Sequence, residues 1–199
     1  MLIRTRKPLS TAFSRSHGLA TAEWLVATFA VIATISLAIE ISHWFLLRQH
    51  LMLHAQRAVE HAAMVGGKPE DVYQHLTRHL RPATLTPGYV CVLDAVDDLM
   101  KDFKDPALSR HHGRALIRHN HLAQQHKRSL AKGWPEGKGP RSHKTISQAN
   151  VLNVRVLARR PIVLGWVRAV VGSHLELGLT VSAIMQSSRE NPENPCVGF

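Results

Sequence analysis

The stretch Ser16–Arg48, SHGLATAEWLVATFAVIATISLAIEISHWFLLR, constrains this chain more than any other. A basic leader ends at Gly18, small residues lead to Glu23, and an apolar run continues from Trp24 to Ile39. A bilayer-spanning helix needs about 20 mostly apolar residues, and Leu19 to Ile39 reaches that length with Glu23 inside it. A carboxylate in hydrocarbon costs about 2.5–3.5 kcal/mol on insertion scales, so it calls for a partner. Cutting the chain between Gly18 and Leu19 would create one. The new α-ammonium at Leu19 and the carboxylate at Glu23, fifth in the shortened chain, lie about one helical turn apart, so parallel copies displaced by a turn would pair amine with acid.

Gly18, Leu19, Glu23 and Trp24, with the second acid Glu40 at the end of the run and an Ala-rich helix behind it, resemble the N-terminus of the TadE-like pilus assembly proteins of tight-adherence systems. These belong to the type IV pilin-like proteins, whose processing site reads G-x-x-x-x-E. An aromatic, usually Phe or Tyr, follows the glutamate, and Trp24 keeps that character. Farther along, Ser147 to Val156 followed by Pro161 is similar to the family's A-N-x-L-x-V/I-x-V…P segment. The resemblance implies a minor pilin or pseudopilin cut after Gly18 by a prepilin peptidase. It also implies partners: the major pilin, other minor pilins and the assembly platform. Glu23, Trp24 and Glu40 would act in assembly.

Charge supplies the expected orientation. The chain carries +11, from 25 Lys+Arg against 14 Asp+Glu. Arg4, Arg6, Lys7 and Arg15 precede the span with no acid among them, which by the positive-inside rule keeps the N-terminus in the cytoplasm and sends the rest into the periplasm. An ordinary secretory signal fits poorly, because the run ends in Ile39-Glu40-Ile41-Ser42-His43, with no A-x-A site. An uncleaved single-pass anchor in the inner membrane, carrying a periplasmic domain that binds anionic ligands, is the competing reading.

Beyond the span Leu47, Leu51, Ala55, Ala58 and Ala62 recur at helical spacing, with no proline before Pro69 and a Gly66-Gly67 stop. One helix over 19–66 is expected, about 70 Å long at 1.5 Å per residue. Residues 67–199 then form a head, and the fold class is α+β: a long membrane-spanning helix continuing into a domain with an antiparallel sheet. Lys68-Pro69-Glu70-Asp71 opens a second helix through Val72, Leu76 and Leu80. Tyr89–Asp94, Leu152–Val156 and Leu175–Met185 alternate as strands, and Pro161 to Val171 reads as a short helix or apolar turn.

Cys91 and Cys196 fall on the outward side, where an oxidising compartment permits a bond between them. Free thiols or pairing with other chains are the alternatives. The segment 101–145 is basic and His-rich, with eleven Lys/Arg against Asp102, Asp105 and Glu136 within 101–144. A mobile surface insertion is expected there. It has Phe103 and Trp134 alone for base stacking, so nucleic acid is not an expected partner. His111, His112, His119, His121 and His126 lack an H-E-x-x-H or CxxC frame, so they are read as exposed side chains and no metal is expected. Asp94, Asp97, Asp98 and Asp102 read as a solvated acidic face. No nucleophile elbow, phosphate-binding loop or nucleotide motif occurs, so neither an enzyme nor a cofactor is expected.

Overall fold

The computed structural model describes residues 16–80, 85–162 and 164–198, with the backbone alone at 16–20 and 171. Of the leader 1–18, residues 1–15 lie outside the described residues. The fold is α+β, with a long apolar N-terminal helix and an antiparallel sheet. Two compact units divide the chain, residues 1–45 and 46–199. The boundary expected at 66/67 follows the end of the first helix, whereas the second unit begins inside that helix. The reason is packing: Leu51, Ala55, Ala58, Val59, Ala62 and Ala63 are wholly buried and belong to the core of the 46–199 unit.

Helix α1 spans Ser16–Val65 without a proline. It stops at Gly66 and Gly67, whose φ of 124° and 78° an L side chain rarely adopts. The Gly67 amide donates to the Ala62 carbonyl at 2.8 Å. The next orphan carbonyl, that of Ala63, accepts from the amides of Gln186 and Ser187 and from Ser187 Oγ, all within 3.1 Å. A helix end leaves four carbonyls needing partners, and for that of Ala63 a segment more than 120 residues away supplies them. Helix α2, Pro69–His79, carries Glu70 and Asp71 in its first turn and Arg78 and His79 in its last, so both ends complement its dipole.

Strands β1 (Thr86–Val92), β3 (Val151–Pro161), β4 (His174–Ile184) and β6 (Cys196–Gly198) form an antiparallel sheet in the order β4-β3-β1-β6. Val90 pairs with Val156, and Val154 with Val181. Leu152, Val154, Val156 and Val90 are buried, as the period-2 pattern requires, while Arg155, Glu176, Thr180 and Ser182 face out. Strand β1 starts at Thr86 and ends at Val92, displaced from the expected Tyr89–Asp94. Pro87 is tolerated because it falls beyond the reach of β6, beside a register shift between Pro87 and Tyr89. Strand β2 (Leu116–Ile117) pairs with β5 (Arg189–Glu190) in a separate two-stranded ladder.

The segment 101–145 is built of elements rather than an unstructured insertion. Helices α3 (Val96–Phe103), α4 (Pro106–His112), α5 (Leu122–Ala131) and α6 (Ile146–Ala149) run through and around it, and α7 (Gly165–Val171) follows β3. Local chemistry accounts for them. Asp105 accepts from the amides of Ala107 and Leu108 to cap α4, and Thr145 with Gln148 forms a capping box on α6. Ile117 and Leu116 anchor the segment in the core at 1% and 3% exposure.

Cys91 and Cys196 are bonded, directly opposite each other on β1 and β6. The bond closes a separation of 105 residues. Replacing both cysteines with serine in the full chain is expected to lower stability by about 4–5 kcal/mol on the chain-entropy model. Urea unfolding in detergent micelles measures the loss.

Candidate functional site

Among the described residues one helix is long and apolar enough to cross a membrane. It covers Thr21–Val65, and its most apolar window has mean hydropathy 2.1 with no residue buried. Trp24 is 77% exposed and Phe29 73%, and Leu25, Val26, Val31, Ile32, Ile35 and Ile39 are exposed with them. Three hydroxyls on this stretch are already satisfied. Thr28, Thr34 and Ser42 each donate to the carbonyl four residues earlier at 2.8 Å, which removes their donors from the surface. Glu23 is exposed, and no hydrogen bond or ion pair among the described residues involves it. Gly18 and Leu19 are helical in backbone, five and four residues before it, and the Leu19 side chain lies outside the described ones. Glu40 is half-buried near the end of the run.

The four aspartates do not make one acidic face. Asp98 is half-buried with Lys101 3.4 Å away, and the exposed Asp97 accepts from Asn191 at 2.9 Å. Asp102 is buried and receives the amides of Arg141 and Ser142 and the Ser142 hydroxyl. Asp94 is buried too, its Oδ2 2.7 Å from Arg189 Nη2 and its Oδ1 2.6 Å from Lys144 Nζ and 3.1 Å from Asn153 Nδ2. The expectation of a solvated face fails for these two because each closes a fold contact over roughly 40 residues or more, which local spacing does not reveal. Burial pushes the Asp94 carboxyl up. The Lys144 hydrogen bond, the Arg189 charge and the hydrogen bonds of Arg189 and Asn153 outweigh it and hold the group below its ordinary value.

The acid's neighbours complete a polar centre. Arg189 Nη1 also donates to the carbonyls of Ala149 and Val151 at 2.9 and 3.1 Å. Next to it, Glu190 meets Lys68 at 2.9 Å and Arg114 at 2.8 Å. The hydrogen bond from Lys68 to Glu190 raises the ammonium's pKa against its burial.

A cleft of about 440 Å³ opens between α4 and α5, lined by Lys104, Arg110, Arg118, Arg128 and Lys132. Asp105 is committed there to Arg118 at 2.8 Å and to its capping role. The Leu108 amide holds its carboxyl low, against burial, and Arg118 adds to that.

The histidines that gather are not those of the basic segment. His50, His54 and His61 on α1 meet His75 and His79 on α2, with ring centroids between 4.2 and 6.2 Å apart along the series. Burial and then the neighbouring positive charges lower the pKa of His54 and His75. The signal was present in the sequence as two i, i+4 pairs, 50/54 and 75/79. His111 and His112 are adjacent at the end of α4, and His121 sits at the start of α5 with φ 55°. Among the described residues no group of three or more His, Cys, Asp or Glu is placed to hold a metal ion.

No family model, curated protein or solved structure matches this chain. The first unit presents an exposed apolar helix whose Glu23 has no hydrogen bond or ion pair among the described residues, and the second is a polar-centred, disulfide-closed head.

Asp94→Asn is expected to destabilise the head by about 3–5 kcal/mol, because Arg189 stays buried without its counter-charge. The sign with pH follows from the depressed carboxyl. Its contribution is fully present above the ordinary value near 3.8 and is lost as pH falls through the lower native value. The stability gap between wild type and Asp94→Asn should therefore narrow below about pH 4, as measured by urea unfolding across pH.

Proposed function

We propose that this chain is a minor pilin or pseudopilin of the TadE-like kind, an assembly subunit rather than an enzyme. A prepilin peptidase cuts between Gly18 and Leu19. The helix from Leu19 spans the inner membrane with its N-terminus in the cytoplasm, and the head lies in the periplasm or in the pilus. Glu23 pairs with the Leu19 amine of a neighbouring copy or of the major pilin, and Trp24 and the apolar face beside it pack against that neighbour. Other minor pilins and the assembly platform are the remaining partners.

The observation that supports this reading is the state of Glu23: an exposed acid with no partner among the described residues on an apolar helix, about one turn from Leu19, the residue after the glycine that the motif marks for cutting. In hydrocarbon such a group is costly, and a chain-end amine one turn along a parallel helix neutralises it. An apolar surface of this extent is a packing or lipid surface, since soluble monomers rarely expose contiguous patches beyond a few hundred Å².

N-terminal sequencing of the protein made with and without a prepilin peptidase tests the cut. A mature chain beginning at Leu19 only when the peptidase is present is the expected outcome, and a chain that keeps Met1 in both cases removes the reading. Glu23→Ala is expected to insert into the membrane normally but to drop out of the pilus complex, as read by co-purification with the major pilin. The cleft lined by Lys104, Arg110, Arg118, Arg128 and Lys132 favours a second reading, an uncleaved anchored domain that binds anionic ligands. Persistence of Met1, with salt-sensitive polyanion binding that Arg118→Ala/Arg128→Ala abolishes, would establish it.

A further inference from the structure

Five imidazoles line up between α1 and α2, and one pair among them has the geometry of a chelate. His50 and His54 are one helical turn apart with their rings at 65° and their Nε2 atoms 3.1 Å from each other. Two metal–imidazole bonds of about 2.0–2.1 Å, meeting at an angle between square and tetrahedral, set their nitrogens about 2.8–3.4 Å apart. We propose that His50 and His54 form a binding site for a divalent late-transition ion, Cu²⁺ above all, with water filling the remaining positions. Imidazole nitrogens with tetragonal N,O coordination suit Cu²⁺, and copper stands at the top of the affinity order.

The other imidazole pairs lack this arrangement. His75 and His79 are also one turn apart, but their rings stack at 8° with centroids 4.2 Å apart, so their in-plane lone pairs run side by side and do not meet. His79 Nδ1 is moreover 3.1 Å from the His75 carbonyl oxygen, which can only accept, so that nitrogen carries the proton. His111 and His112 are consecutive on α4 and their rings meet edge to face with centroids 4.8 Å apart, but among the described residues no hydrogen bond brings their nitrogens together. In the metal-free pair one Nε2–H is shared between the two Nε2 atoms. The ion takes both lone pairs, and the ring that held the proton carries it on Nδ1 instead, with no net proton released. His50 is exposed, so the ion has access from solvent. Both residues belong to the 46–199 unit, and their geometry does not depend on whether the chain joins a pilus.

Calorimetric titration of copper sulfate into the full chain in detergent micelles tests this, in a weakly chelating buffer that suppresses non-specific binding to the other histidines. Wild type is expected to take up one tightest Cu²⁺ per chain. His50→Ala or His54→Ala should weaken that site by at least about tenfold, since losing a ligand costs no less than losing the group that orients it. His75→Ala/His79→Ala and His111→Ala/His112→Ala should leave it unchanged, and magnesium should not compete because it seeks oxygen ligands. His50 is the decisive position, because an exposed side chain can be replaced without disturbing the core. Survival of the tightest site in His50→Ala, or its loss with either control pair, would overturn the assignment.

Discussion

The buried ion pair between Asp94 and Arg189 is the contact through which the head holds its parts in one arrangement. Arg189 lies on β5, Asp94 follows β1, and the guanidinium also satisfies the carbonyls of Ala149 and Val151 where β3 begins. Two residues of one short strand therefore tie several elements together, because Glu190 beside it binds Lys68 before α2, Arg114 before β2 and, through its amide, the Gly66 carbonyl at the end of α1. Such a pair gains little net stability over a well-packed apolar substitute, since both ions lose their water. Its value is specificity: with each charge matched and the surrounding carbonyls satisfied, few other arrangements of these segments are tolerable.

This closure explains why the last residues matter to the first helix. The chain from Gln186 to Glu190 occupies the carbonyls of Ala63 and Gly66 at the end of α1, and the disulfide at Cys196 then holds the remaining tail against β1. Helix α1 carries two chemistries along one backbone. Residues 47 to 63 include a stripe of Ala, Val and Leu buried in the head, where small side chains let neighbouring elements come close. Residues 24 to 39 present large apolar side chains that nothing in the described chain covers. The proposed pilin role assigns that uncovered face to lipid and neighbouring subunits.

Sequence position was a poor guide to which polar residues share a place. The basic segment looked like a solvated insertion, yet Asp105, Thr145 and Gln148 cap its helices and Leu116 and Ile117 hold it in the core. Of the conspicuous histidines of that segment only the adjacent His111 and His112 meet, among the described residues, while five less conspicuous ones gather on two facing helices. Spacing could have shown the 50/54 and 75/79 pairs. It could not have shown that the two helices would bring them together.

The sequence by itself determined what depends on local pattern. An unbroken apolar run dictates a helix long enough to span a bilayer, Gly66-Gly67 ends it, Pro69 with Glu70 and Asp71 starts the next, and the alternation in β3 and β4 makes strands with one buried face. These follow from backbone sterics and side-chain periodicity over a few residues, so they can be read without knowing the rest of the chain. The placement of Glu23 about one turn from Leu19 is legible in the same way. Only the tertiary structure decided that Asp94 and Asp102 are buried while Asp97 and Asp98 are not, that Arg189 answers Asp94 across 95 residues, and that β6 lies beside β1. The physical reason is that burial and charge pairing depend on which distant segments come to share a core, a choice made by the cooperative packing of the whole head rather than by any one stretch of it.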